Sequence, residues 1–286
     1  MKKLNYYDKN LILTLIFIIL SIFSGISYVF FKSGINLKIP KQTDPLKSAF
    51  SACNDEAPYS NIDEALINPY SVCILSLAGM ELDSVPTEIE KLANMEFLDL
   101  HTNKLKGLPP TIANLSKVNH LDLGDNNFSL FPSEITKMSK LQILEVGFNQ
   151  LSDLPSQIGN LKRLEVLALN NNHLKLIPLE IYNLKTLEML ELSENMLGTL
   201  PEGIGNLTNL TGLYLHDNKL SRLPDDSGQL QKLEVLDISN NYFTQIPDSI
   251  INLPNLKELK LSGNKISATE KDRIKNTVPS DINLTL

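Results

Sequence analysis

Residues 187–207 read LEMLELSENMLGTLPEGIGNL, and the spacing of the residues in this stretch decides the fold. Leu187, Leu190 and Leu192 precede Asn195, and Leu197, Leu200, Pro201, Ile204 and Leu207 follow it. Written as a template this is L-x-x-L-x-L-x-x-N-x-L-x-x-L-P-x-x-I-x-x-L. Working outward in both directions, the same phase returns every 23 residues. Asn103, Asn126, Asn149, Asn172, Asn195, Asn218, Asn241 and Asn264 keep it, and Met80 holds the position one step earlier. Pro86, Pro109, Pro132, Pro155, Pro178, Pro201, Pro224 and Pro247 run in lockstep. A fixed period of this length signals a repeat array, in which each unit buries its apolar face only against its neighbours.

The first part of the template alternates apolar and variable residues, as a short strand buried on one face does. The constant phase predicts parallel stacking of successive strands, about 4.8 Å apart. The second part spaces its apolar residues by three or four, which predicts a turn or two of helix or 3₁₀ on the other side. Proline suits that bend, with φ fixed and no N–H to satisfy. Where the strand bends away, backbone groups lose their sheet partners, and an amide side chain can both donate and accept there. The asparagine column therefore reads as structural.

On these residues the chain resembles the leucine-rich-repeat family, in its 23-residue subgroup marked by L-P-x-x-I. Ras-binding repeat scaffolds and many short bacterial surface proteins share that pattern. The resemblance covers Val72 to Ile266 and implies an α/β solenoid, curved, with a parallel sheet on its concave side where ligands bind. Two departures stand out: Met80 in place of the first asparagine, and Ser227, in Pro224-Asp225-Asp226-Ser227-Gly228, where other repeats place Ile. The second predicts a locally looser outer side in that repeat.

The expected organisation is a short tail over residues 1–10, a transmembrane signal anchor over 11–31 and a basic tether over 32–48. An N-terminal cap follows over 49–71, then nine repeats, the last partial, over 72–266, and a C-terminal cap over 267–286. Leu11 to Phe31 carries no charge and as a helix spans about 31 Å, enough for the hydrocarbon core. A signal peptide cleaved after Ser27 is the competing reading, and secretion would follow from it. The short N-terminal tail favours the N-terminus in the cytoplasm and the repeats outside. Ser60-Asn61-Ile62-Asp63 opens a short helix in the first cap; Ser267-Ala268-Thr269-Glu270 reads as a capping box in the last, before an edge strand at Ile282, Leu284 and Leu286. Cys53 and Cys73 are the only cysteines, and a clip between them would suit an oxidising compartment.

Residues 1–47 hold seven lysines and two aspartates, a net of +5, which leaves −12 on the rest of a chain whose total is −7. Nucleic acid is therefore not an expected partner. Counting the first Leu of each repeat as position one, positions three and five project from the sheet. Position five places Asp99, Asp122 and Glu145 on successive strands, then Ala168, Glu191, Tyr214 and Asp237; position two adds Glu96, Glu165, Glu188 and Glu234. Position three supplies Phe97, His120, Ile143, Val166, Met189 and Val235. An exposed apolar stripe beside acids is the composition of a protein-binding surface, here one for a basic protein or peptide. Phe97, Phe148, Met189 and Tyr214 are the anchoring residues expected on it. His101 and His120 fall near Asp99 and Asp122, a four-ligand arrangement that follows from the repeat rather than from a metal motif. No nucleophile–base pair, phosphate loop or cofactor motif occurs, so the reading is a binding module without cofactor or catalysis. A cytosolic scaffold regulating a small GTPase and a surface adhesin for matrix or glycan are the other two readings.

Overall fold

A computed structural model describes residues 58–286. The expected span Leu11–Phe31, the tether and Cys53 lie outside the described residues. Ten three-residue strands form one sheet in chain order. They are β1 Ile74–Ser76, β2 Phe97–Asp99, β3 His120–Asp122, β4 Ile143–Glu145, β5 Val166–Ala168, β6 Met189–Glu191, β7 Gly212–Tyr214, β8 Val235–Asp237, β9 Glu258–Lys260 and β10 Asn283–Thr285. All neighbours are parallel, and from β1 to β9 each residue faces the one 23 positions on, such as Asp99 against Asp122 and Asp122 against Glu145. The sequence period is thus the sheet register. The central Leu of each strand from β1 to β9 points into the core: Leu75, Leu98, Leu121, Leu144, Leu167, Leu190, Leu213, Leu236 and Leu259 are all fully buried.

The other side is built from short 3₁₀ turns. Pro86, Pro109, Pro132, Pro155, Pro178 and Pro224 each stand just before one, and Pro247 precedes the helical turn α2, Asp248–Ile251. A fixed φ and a missing N–H cost nothing at that position. Ile89, Ile112, Ile135, Ile158, Ile181, Ile204 and Ile250 then enter the core from these turns. Strands stack about 4.8 Å apart and helical turns need more room, so the array bends toward its sheet.

Asparagines stitch successive repeats together. Asn149 Oδ1 accepts from Phe128 N at 3.0 Å, while its Nδ2 donates to Leu123 O, Val146 O and Gly147 O at 3.0, 3.2 and 3.1 Å. Asn103, Asn126, Asn172, Asn195, Asn218 and Asn241 repeat that pattern. The residue just before each asparagine is left-handed: Thr102, Asp125, Phe148, Asn171, Glu194, Asp217 and Asn240 all have φ between 51° and 55°. On the outer side a second ladder runs through Asn94, Asn209 and Asn255, whose amides reach Tyr70 O, Lys185 O and Gln231 O at 2.7 Å.

The repeat containing Ser227 is not loosened as its sequence suggests. Its turn, Asp225–Gln229, is complete, and Ser227 is buried. Asp226 Oδ2 accepts from Gly203 N at 3.1 Å and Gly205 N at 2.8 Å, tying this repeat to the previous one. The smaller Ile204–Asn206 turn, entered through Gly203 at φ 114°, makes those amides available.

Both ends are covered. Helix α1, Ile62–Ile67, starts at Asn61, whose side chain accepts from Asp63 N and Glu64 N, and Tyr59 pairs with Leu75 beside β1. Helix α3, Ala268–Thr277, starts at Ser267, whose side chain accepts from Glu270 N. The reciprocal half of a capping box is missing, because Glu270 is turned to Ile246 N and Arg273. Arg273 also bonds Asp248 and Ile246 O, so one guanidinium joins cap to array. Arg273→Ala is expected to cost about 1–2 kcal/mol at this half-exposed site, seen as earlier loss of amide-exchange protection in α3 than in β4. Among the described residues no helix is long and apolar enough to cross a membrane.

Candidate functional site

The outward positions of the sheet bring together the residues singled out from the sequence. Asp99, Asp122 and Glu145 stand in register on β2, β3 and β4; Glu191 follows on β6 and Asp237 on β8. At a strand spacing of about 4.8 Å, carboxylates in this order repel one another. Their bonds show how the fold accommodates them. Asp99 Oδ1 accepts from His101 N at 3.1 Å, Asp122 Oδ1 from Gly124 N at 2.8 Å, Glu191 Oε1 from Ser193 N at 2.8 Å and Asp237 Oδ1 from Ser239 N at 3.0 Å. Four of the five carboxylates thus bend back onto the amide two residues ahead, where the chain leaves the strand; Glu145 is turned to His120 instead.

Further partners are unevenly distributed. Ser76 Oγ donates to Asp99 Oδ2 at 2.7 Å, and Lys260 Nζ lies 3.6 Å from Asp237 Oδ2 and 3.1 Å from Glu258 Oε1. His120 Nε2 is 3.0 Å from Glu145 Oε1, and its ring stacks on Phe97 with centroids 4.2 Å apart. His120 Nδ1 and Glu191 Oε2 have no hydrogen-bond partner. Burial holds the His120 imidazole neutral, down to about 4, so its contact with Glu145 is a hydrogen bond rather than an ion pair. Burial raises Glu145 to about 7, with Asp99 adding to the effect, and raises Glu191 to about 7 as well. Asp122 is also raised, first by burial and then by Glu145 and Asp99.

The expected exposed stripe is more closed than its composition suggests. Phe97, His120, Ile143, Tyr214 and the five acids are buried, whereas Phe148, Val166, Met189 and Val235 are half-buried. Ring stacking and backward-bent carboxylates use the space between strands. On β7 the stripe is interrupted by Gly212, where an added Cβ would lie 2.9 Å from Tyr214 Cε2, so the glycine makes room for the tyrosine ring. Phe148 occupies a left-handed position at φ 53° that its neighbours fill mostly with Asp, Asn, Thr or Glu. A bulky residue there is strained by about 1 kcal/mol or more, which sets it apart from the repeat's ordinary needs.

His101 Nε2 lies 3.8 Å from Asp99 Oδ1, but His120 is turned to Glu145. Among the described residues no group of three or more His, Cys, Asp or Glu is arranged to hold a metal ion. Cys73 is disulfide-bonded, while Cys53 lies outside the described residues. Ser76, Ser193, Ser239 and Lys260, which satisfy or balance the acids, were not among the expected site residues; Ser76 and Lys260 stand in the same column and were visible there.

Two family models match the array: one described as leucine rich repeat over residues 208–266, and one described as leucine-rich repeat region over residues 133–219. The repeat array belongs to the leucine-rich-repeat family. Among solved structures, the ectodomain of the Arabidopsis thaliana membrane receptor kinase GASSHO1/SCHENGEN3, in complex with CASPARIAN STRIP INTEGRITY FACTOR 2, is 33% identical with a TM-score of 0.62. That likeness covers 68% of this chain and 24% of the receptor chain. The ectodomain of the Arabidopsis receptor kinase HAESA, in complex with an extended IDA peptide hormone, is 30% identical, TM-score 0.61, over 68% of this chain and 34% of that one. An internalin from Listeria monocytogenes shares the fold at 24% identity, TM-score 0.68, over 79% of this chain and 64% of its own. The chain thus spans about a quarter to just under two thirds of the length of these three structures. No curated protein matches.

Proposed function

We propose that this protein is a membrane-tethered binding module that takes a basic protein or peptide on the sheet face of its repeats, with those repeats outside the cytoplasm. Leu11–Phe31 is the proposed anchor, and a Cys53–Cys73 bond the proposed clip of its N-terminal cap. The observation that carries the ligand's charge is the in-register row Asp99–Asp122–Glu145, continued by Glu191 with one carboxylate oxygen lacking a partner. A buried row of acids acts through its field, which draws and orients a cation without each carboxylate being touched. Half-buried Phe148, Val166 and Met189 supply the apolar contact. Support for a peptide-sized partner comes from the two receptor ectodomains, whose structures hold peptide or protein ligands.

Glu145→Gln with Glu191→Gln keeps the side-chain shapes while removing two charges. This variant is expected to bind a basic peptide at least tenfold more weakly, and an acidic or neutral peptide no worse. Wild-type affinity for the basic peptide is expected to rise as pH climbs through about 7, where burial has placed the proton loss of Glu145 and Glu191. The double variant should show a much smaller dependence, what remains coming from Asp122, which burial also raises. Titration calorimetry at several pH values tests this; a pH-independent wild type, or an unchanged double variant, would sink the acidic-face reading.

A further inference from the structure

A second surface lies on the edge where the chain enters each strand, and it is independent of what the sheet face binds. One column of that edge runs Asn94, Lys117, Lys140, Arg163, and the column beside it runs Tyr70, Ala93, Ser116, Ser139, Lys162, Lys185. The outer hydrogen-bond ladder fixes this alignment. Asn94 reaches Tyr70 O in the same way that Thr186 reaches Lys162 O and Asn209 reaches Lys185 O. Lys117, Lys140, Lys162, Arg163 and Lys185 are all exposed, on four consecutive repeats, and Lys137 stands beside them, also exposed.

None of these six cations forms a salt bridge among the described residues, although Lys104, Lys257, Lys260, Arg273 and Lys275 elsewhere do. Lys117 rests on Asn94 Oδ1 and Lys185 on Asn206 O instead. The acids Glu96, Glu165 and Glu188 directly precede β2, β5 and β6; Glu96 feels the Lys117 charge, but none of the three closes an ion pair with the row. The unpaired rim is notable on an array whose net charge is strongly negative.

The same edge ends in two large apolar side chains. Ile67 and Tyr70 are 84% and 73% exposed, at the N-terminal cap. Large apolar groups this bare, one of them a tyrosine, beside a row of unpaired cations match the composition of surfaces that lie on bilayers: tyrosine at the headgroup level and Lys or Arg facing anionic lipid. Nucleic acid fits less well, because no aromatic residue is interleaved among the cations for bases to stack on.

From this we infer that the strand-entry edge of the first five repeats docks on an anionic membrane surface, with Tyr70 and Ile67 at the interface and Lys117, Lys140, Lys162 and Arg163 against lipid phosphates. Docked this way, the array lies along the bilayer rather than standing off it. Each cation contributes roughly fivefold to partitioning onto anionic lipid.

The test uses the full chain in vesicles of phosphatidylcholine alone, or mixed with phosphatidylglycerol. Lysines are labelled by a water-soluble amine reagent and read by peptide mass spectrometry. On the anionic vesicles, labelling of Lys117, Lys140, Lys162 and Lys185 should fall severalfold and recover in high salt. Lys104, Lys219 and Lys265, on the opposite edge, should label equally on both lipids. Lys140→Glu with Arg163→Glu should abolish the protection of the remaining rim lysines, and Ile67→Ser with Tyr70→Ser should weaken it. Equal labelling of the wild type on the two lipids would overturn the inference. So would protection that survives the charge reversal, or protection by a soluble polyanion but not by anionic vesicles.

Discussion

Asn149→Ala is expected to lower the stability of the array by about 3 kcal/mol, and Asn149→Asp by more at neutral pH. The asparagine is buried among the backbone groups of the bend. Without its Oδ1, the Phe128 N–H at 3.0 Å has no acceptor. That orphaned donor alone costs about 1–3 kcal/mol. The carbonyl side is more forgiving, because the ladder overlaps. Leu123 O also accepts from Asn126 Nδ2, and Val146 O from Asn172 Nδ2, so each keeps one amide donor when Asn149 is lost. The aspartate variant keeps an acceptor for Phe128 N but points a second oxygen at Leu123 O, Val146 O and Gly147 O. Its carboxyl would be held protonated in the folded state, so its stability should rise as pH falls toward the ordinary aspartate range, where the unfolded chain also takes up the proton. Urea unfolding followed by circular dichroism, at neutral and acid pH, reads both effects. A loss below about 1 kcal/mol for the alanine variant would mean that water enters the bend and that the column is not what fixes the strand stacking.

The reach of the sequence can be judged from the same column. A 23-residue period with asparagine in constant phase requires equivalent backbone environments, so register, strand order and the side facing the core all follow from counting. Two other columns were illegible for the opposite reason. Thr102, Asp125, Phe148, Asn171 and Glu194 share a left-handed backbone but no residue type. That conformation is imposed from outside, since Asp125 N donates to Gly147 O and Asn126 N to Phe148 O in the next repeat. The outer ladder mixes Asn, Lys, Arg and Thr, because a donor reaching the previous repeat is useful there but not required.

On the sheet face, counting placed Asp99, Asp122 and Glu145 side by side, but it could not give the direction of each carboxylate. Bending back onto the amide two residues ahead depends on that amide being free where the strand ends. This geometry also changes which substitutions are informative. Reversing the acids to lysine would break the bonds to His101 N and Gly124 N together with the charge, whereas amides of the same shape separate charge from fold.

The second large effect lies on the outer side, where Ser227→Ile is expected to stabilise the array by about 2 kcal/mol. The equivalent residues in the flanking repeats, Ile204 and Ile250, are buried, and Ser227 is as buried as they are. Its hydroxyl has no hydrogen-bond partner. Isoleucine removes an unpaired polar group and adds apolar volume between two isoleucines, each CH₂ contributing about 0.8 kcal/mol. Ser227→Ala divides the gain, because it removes the hydroxyl without filling space. Asp226 sets the limit: its carboxylate holds Gly203 N and Gly205 N, and Gly228 lies so close to Ser249 that an added Cβ would sit 2.8 Å from Cβ of that serine. If the repeat has closed around its small side chain, isoleucine must push the turn outward and strain those bonds, and overpacking costs about 1–3 kcal/mol. Thermal unfolding of the two variants decides between these cases. A stabilised alanine variant with a destabilised isoleucine variant would mean that Asp226 has replaced apolar packing as the tie between these repeats; stabilisation by both would mean that the serine leaves room its neighbours have not taken up.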